Sequence, residues 1–258
     1  MSGHLSITGL AAGYRGKSVV EQFTLAPIAP GEVVALLGPN AAGKTTVLRS
    51  LAGLHKASGS VKLGKQELMH LPLADHAAYV TYMPQALPDR VGLTVLEAVM
   101  SALRASIPAG MGPDDLLVAA LDVIERVGIT HLAARELGQL SGGQRQLASL
   151  AQALVRRPTV LLLDEPISAL DLHFQLKVMK LVREVAAQSG MIVIMVLHDL
   201  TIAARWSDRI VLLSGGKVEV EGSPAEALTA ERLAQVYKVC AAVSEGEHGL
   251  QIAIHDVL

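Results

Sequence analysis

The sequence predicts an α/β sandwich with a mainly parallel sheet, antiparallel N-terminal strands and an inserted helical subdomain. Three observations carry that prediction. Short aliphatic runs alternate with stretches of helical period through most of the chain, the mark of parallel βα units. The 258 residues are 51% hydrophobic but only 3% aromatic, so the apolar content is aliphatic and alanine, as suits strands covered on both faces. Residues 85–157 read as helical and interrupt the alternation. A single domain, 1–258, is therefore expected, with a core of 1–84 and 158–258 that includes a β subdomain, and a helical insert of 85–157.

The elements follow in order. Leu5–Thr8 and Ser18–Leu25 read as strands punctuated by Gly13, Gly16 and Pro27. Glu32–Leu37 is an aliphatic strand leading into a glycine-bounded loop and a helix from Lys44, and Ser60–Leu63 and Tyr79–Met83 are further strands. From Thr94 the pattern turns helical, with Leu96, Val99, Met100 and Leu103 at helix spacing. The run Ile107–Asp115 breaks it, and Pro113 and Asp114 supply the start of the next helix, to Gly128. A third helix, Gly142–Val155, ends before Pro158. Strand Val160–Leu163, helix Leu172–Gln188 and strands Met191–Leu197 and Arg209–Leu213 complete the alternation.

Composition excludes several classes. With 22 basic and 24 acidic residues the formal net charge is -2, so bulk electrostatics do not invite nucleic acid. The chain is too apolar to be disordered. A mean hydropathy of +0.41 raises the question of a membrane span, which needs about 20 consecutive apolar residues. The longest apolar run, Met191–Leu197, is closed by His198 and Asp199. The N-terminus shows no basic start followed by an apolar stretch, and Cys240 is the only cysteine, so a reducing, cytosolic location is expected.

Three motifs carry chemistry. Gly38-Pro39-Asn40-Ala41-Ala42-Gly43-Lys44-Thr45-Thr46 fits the phosphate-loop pattern G-x-x-x-x-G-K-[ST], with an apolar strand before it and a helix after it. Successive backbone N–H groups there curl around phosphate oxygens, Lys44 offers a point charge to the β- and γ-phosphates, and the Thr45 hydroxyl can ligate Mg²⁺. Val160–Leu163 ends in adjacent carboxylates: Asp164 can hold a Mg²⁺-bound water, and Glu165 can polarise an attacking one. Leu140-Ser141-Gly142-Gly143-Gln144-Arg145-Gln146 opens a helix with two glycines, each costing about 1 kcal/mol inside a helix. In isolation each motif has a plainer reading: a glycine turn, a strand running into a charged turn, a serine N-cap. Together they read as a site of nucleoside triphosphate hydrolysis.

Leu140–Gln144, standing between the phosphate loop and Leu161–Pro166, resembles the signature of ATP-binding cassette (ABC) ATPases, and the resemblance covers essentially the whole chain. It implies a P-loop NTPase sandwich that binds ATP and Mg²⁺. It implies further that Ser141, Gly142 and Gly143, with Gln144, reach the γ-phosphate held by a second copy, so that two chains sandwich two ATP molecules head to tail. Tyr14 then matches the aromatic that stacks on adenine, where it would otherwise be a packing tyrosine. Gln85 matches the glutamine that joins the two subdomains and senses Mg²⁺ or the attacking water. Ser168–Asp171 matches the loop between the two chains, although Asp171 also suits the cap of the following helix. His198 matches the switch histidine on the γ-phosphate, and the other eight histidines receive no role. The family usually has glycine where Ala41 stands; if that position needs positive φ, alanine costs roughly 1 kcal/mol.

The resemblance also implies partners. Nothing in the chain binds a second substrate, so a peripheral motor is expected at the cytoplasmic face of the inner membrane, driving integral permease subunits fed by a periplasmic substrate-binding protein. Gln85–Met100, with Leu87, Val91, Leu93 and Val95 expected at the surface, is the dock for a permease helix unless these residues are simply core of the insert. The length, a helix-rich C-terminus and the segments at 71–85 and 233–239 are similar to the importers of iron–siderophores, haem and cobalamin. Ala77 and Ala78 stand where many of those carry arginines, and the segment at 101–108 departs from their usual pattern. Other solutes and export stay open. A soluble ABC ATPase acting on ribosomes or DNA usually carries two cassettes or a long coiled-coil insertion, and neither is present.

Overall fold

The computed structural model describes residues 3–85, 92–105, 112–246 and 249–258. In chain order, the first unit is β1 (Leu5–Tyr14), β2 (Lys17–Ile28), β3 (Val33–Leu37), α1 (Lys44–Leu51), β4 (Ala57–Leu63), β5 (Gln66–Glu67), α2 (Leu73–His76) and β6 (Val80–Met83). Helices α3 (Val95–Arg104), α4 (Pro113–Val127) and α5 (Gly142–Leu154) follow. Then come β7 (Val160–Asp164), α6 (Leu172–Ser189), β8 (Ile192–Val196), α7 (Leu200–Trp206), β9 (Arg209–Ser214) and β10 (Lys217–Gly222). The chain closes with α8 (Pro224–Ala227), α9 (Ala230–Tyr237), β11 (Val239–Gly246) and β12 (Gly249–Val257).

The central sheet has the order β10-β9-β3-β8-β7-β6, parallel throughout except for β10 against β9. Its inner strands are buried on both faces, and their alternating side chains feed two separate cores. Val34, Leu36, Leu162 and Ile194 join a cluster with β1, β2, β4 and α1. Val33, Ala35, Leu163 and Met195 join one with α3–α9 and the C-terminal strands. This register explains the continuous aliphatic runs, because neither face meets water.

The second sheet, β2-β1-β4-β5, is antiparallel. β1 runs to Tyr14 rather than stopping at Thr8: Gly9, with φ of 61°, absorbs an irregularity that lets the strand continue. The hairpin turn is Arg15-Gly16, with φ of 48° and 79°, the positive pair whose twist matches the flanking strands. In the helical segment α4 starts at Pro113 as expected. Between α4 and α5, however, residues 130–132 and 137–139 form only single 3₁₀ turns, tied to the start of α3 by the bridge Thr94–Glu136.

Two expectations need correction. The C-terminus is not simply helix-rich: after α8 and α9 it ends in the β11–β12 hairpin. Small inward residues such as Ala241 alternate there with Cys240 and Ala242, a pattern too weak to read as a strand. Of the four residues expected at a docking surface, Leu87 and Val91 lie outside the described residues and Leu93 is 38% exposed. Val95 is fully buried, because it is the first residue of α3 and faces the core shared with α5. Among the described residues no helix is long and apolar enough to cross a membrane.

Candidate functional site

β3 delivers the chain to a loop that needs unusual backbone angles. Gly38 has φ of 146°, and an added Cβ would stand 2.1 Å from the Leu213 carbonyl oxygen of β9. Ala41 has φ of 63° and Gly43, which caps α1, has φ of 98°. The condition set for Ala41 is therefore met: it holds a left-handed conformation that costs a residue with a Cβ about 1 kcal/mol. Ala41→Gly is expected to raise unfolding stability by about 0.5–1 kcal/mol without loss of nucleotide affinity. Urea unfolding and ADP titration check it, and a destabilised or weaker-binding variant would refute the strain argument.

Lys44 is buried, and its Nζ donates to the carbonyl oxygens of Gly38 (2.7 Å) and Pro39 (2.8 Å). Burial pulls its pKa down, while the charges of Glu165 and Asp164 push it back up.

β7 lies between β6 and β8, so its carboxylates emerge at the same sheet edge as the loop after β3, where ligands sit in parallel sheets. Asp164 is almost fully buried; its Oδ1 accepts from Thr45 Oγ1 (3.1 Å) and its Oδ2 from the Tyr82 hydroxyl (2.9 Å). Burial pushes the Asp164 carboxyl up, against those two hydrogen bonds and Lys44, which favour the anion. The Tyr82 phenol is raised far above its ordinary value, first by burial and then by Asp164, with a smaller addition from nearby Tyr14. Thr45 gives its proton to Asp164 and lines the cleft, so its lone pairs can face a hard cation such as Mg²⁺. No group of three His, Cys, Asp or Glu that could hold a metal occurs among the described residues.

Glu165 has φ of 52°, a costly conformation for a non-glycine residue. Its surroundings hold it there. The carbonyl oxygen accepts from Gln146 Nε2 and from Ser168 Oγ (3.2 Å). Carboxylate Oε2 accepts from Gln85 Nε2 (2.8 Å), and Oε1 meets His198 Nε2 at 2.7 Å, which places the ring proton on Nε2. The structure thus gathers at one point Glu165, expected to polarise the attacking water, Gln85, expected to sense Mg²⁺ or that water, and His198, expected on the γ-phosphate.

Gln146 and Tyr82 are participants that the sequence reading passed over. Gln146 is buried, and its Oε1 also accepts from Ala169 N (3.0 Å), joining the start of α5 to the loop after β7. Its place three residues beyond Gly143, the second signature glycine, was the only signal. Tyr82 had none, since its partner lies 82 residues away.

A cleft of about 510 Å³ is lined by Lys17–Val19, Asn40–Thr46, Glu165, His198 and Gly215-Gly216, with Tyr82, Gln85, Gln146 and Asp164 behind or beside that lining. Tyr14 is outside that lining. It faces Lys17 across the β1–β2 hairpin, is 44% exposed and stacks on His55. Ser141–Gln144 are also outside it. Ser141 caps α5 by accepting from Gln144 N (3.3 Å), while Gln144 Oε1 accepts from Ser141 N (3.1 Å). Gly143 lets α5 begin against the loop, for an added Cβ would lie 2.7 Å from the Ala169 carbonyl oxygen. Asp171 caps α6 through Phe174 N (3.0 Å).

A phosphate loop behind a central parallel strand, with paired carboxylates on the same sheet edge and a helical insert beside them, defines a P-loop nucleotide hydrolase. The chain belongs to the ABC transporter family, which it matches over residues 24–168, and it is an ABC ATPase that binds ATP. It is 39% identical to the hemin import ATP-binding protein of Nocardia farcinica over 242 residues, covering 91% of this chain and 82% of that protein. It is 37% identical to the petrobactin import ATP-binding protein of Bacillus anthracis over 232 residues, covering 85% and 83%. Among solved structures, a transporter described as of the metal-chelate type, in an inward-facing conformation, matches 99% of this chain and 98% of its own, with a TM-score of 0.81 and 25% identity. A dimeric ATP-binding cassette with ADP and Pi bound matches 85% and 98%, with a TM-score of 0.78 and 27% identity.

Proposed function

We propose that this chain is the motor subunit of an inner-membrane importer for an iron chelate, with hemin as the first substrate to test. The observation that carries the reading is the similarity to hemin and petrobactin import subunits over 85–91% of the chain. Cobalamin is a second cargo of the same chelate kind. In this reading residues 85–157 are the helical subdomain and the rest the nucleotide-binding core.

Two copies close on two ATP molecules, each phosphate loop facing the Ser141–Gln144 segment of the other copy. Lys44 and the loop amides bind the β- and γ-phosphates. Thr45 and Asp164 would hold Mg²⁺, which would supply charge neutralisation on the phosphate oxygens, and Gln85 would face it or the attacking water. Glu165 takes the proton from that water as general base. His198 orients the Glu165 carboxylate and reaches the γ-phosphate, and Gln85 ties the same carboxylate to the entry of the helical subdomain. Hydrolysis at Glu165 is thereby transmitted to that subdomain, and Ser168–Asp171 carries it to the second copy.

Separate permease subunits receive the motion. Besides Leu93, the exposed Leu54 (48%) and Leu73 (55%) rim a cleft of about 340 Å³ that can accept apolar side chains of a permease helix. Leu54→Glu combined with Leu73→Glu is expected to keep basal ATPase activity within twofold while transport falls by about tenfold or more. Persistent transport would remove this surface from the dock.

The reading as a whole is tested by capturing the tagged chain from its native membranes and assaying ATP-dependent hemin uptake by the purified complex in proteoliposomes. A polytopic membrane protein in the eluate and hemin uptake are expected. A chain recovered alone or with ribosomes overturns the importer reading.

A further inference from the structure

We propose that His55 is a positioning residue that sets the Tyr14 ring as a platform for the nucleotide base. The proposal rests on the reading of Tyr14 as the base-stacking aromatic. The two rings have centroids 4.3 Å apart and planes inclined by 31°. His55 Nε2 lies 3.0 Å from the Gly13 carbonyl oxygen, and because a carbonyl only accepts, Nε2 is the protonated nitrogen. One side chain therefore grips both the Tyr14 ring and the backbone just before it. Tyr14 stays 44% exposed even with His55 stacked on it, which leaves part of the residue available to a base.

His55 is in turn fixed to the phosphate-binding element. The backbone N–H groups of Leu54 and His55 both donate to the Arg49 carbonyl oxygen, at 2.9 and 3.2 Å, closing the C-terminal end of α1. The N-terminal end of that helix is Lys44, at the phosphate loop. A short rigid helix thus carries the phosphate site at one end and the support for the base platform at the other. The separation between bound phosphates and stacked base follows from its length. Without the His55 ring, Tyr14 would sit at the tip of a two-residue hairpin with one face unsupported. Its ordering would then be achieved at the expense of base affinity.

The test separates base from phosphate. ADP and inorganic pyrophosphate are titrated calorimetrically into the full chain and into His55→Ala, His55→Phe and Tyr14→Ala. His55→Ala is expected to weaken ADP about three- to tenfold, the size of an aromatic pair, and to leave pyrophosphate unchanged. His55→Phe, which keeps a ring but not the Gly13 bond, is expected to recover most of that loss. Equal weakening of ADP and pyrophosphate by His55→Ala would mean a distorted phosphate loop and would overturn the proposal. So would unchanged ADP binding in His55→Ala alongside an ADP-selective loss in Tyr14→Ala. If Tyr14→Ala itself loses no ADP affinity, the reading of Tyr14 fails and takes the proposal with it.

Discussion

Glu165→Gln is expected to bind ATP as the parent does and to lose turnover by about 10²–10⁴-fold, the range of a positioned general base. The amide keeps the size of the side chain: its oxygen can accept from His198 Nε2, and Gln85 can turn its own amide so that its Oε1 accepts from the new NH₂, in place of the 2.7 and 2.8 Å bonds to the two carboxylate oxygens. The left-handed backbone is secured through the Glu165 carbonyl by Gln146 and Ser168, and neither contact involves the substituted group. What disappears is the ability to accept a proton. Phosphate release under saturating MgATP measures the loss, and filter binding of labelled ATP measures what is retained. Turnover within tenfold of the parent would exclude Glu165 as the base.

Gly38→Ala is the second large effect, and it acts on stability before chemistry. The residue holds φ of 146°, which costs a residue with a Cβ about 1–3 kcal/mol. The added methyl would also stand 2.1 Å from the Leu213 carbonyl oxygen, a backbone atom of a central strand that has nowhere to move. Overpacking of that kind adds about 1–3 kcal/mol. A total near 3 kcal/mol or more corresponds to a fall in Tm of about 6–12 °C, with nucleotide binding lost because β3 and β9 must part to make room. Gly16→Ala is the control: φ there is 79°, but nothing lies within 4 Å of the added atom, so only the conformational part should appear. Equal effects at the two glycines would refute the clash.

Much of the site was legible because its chemistry is contiguous. A phosphate loop must place several amides within one turn, and only glycines or left-handed residues allow that, so Gly38–Thr46 declares itself in nine letters. The aliphatic strands before it and before Asp164 were equally plain, being buried on both faces. The strand of Tyr14 was read six residues short, since an irregularity at Gly9 hides the alternation. Val95 was misplaced because the period of a helix says which residues share a face and not which face meets the core.

By itself the sequence determined the class of fold, the phosphate loop, the paired carboxylates and the signature segment, each written in residues close enough along the chain to act as one local structure. Only the tertiary structure decided how Glu165 is aimed. Its left-handed backbone, the grip of Gln85 and His198 on its two oxygens, the clamp of Gln146, and the Tyr82 hydroxyl on Asp164 join residues 19 to 82 positions apart. The same holds for His55, which meets Gly13 across 42 positions. Such contacts depend on the order of strands in the two sheets and on where each helix returns. Local periodicity encodes burial along one element, whereas the meeting of two elements is set by the packing of all of them at once.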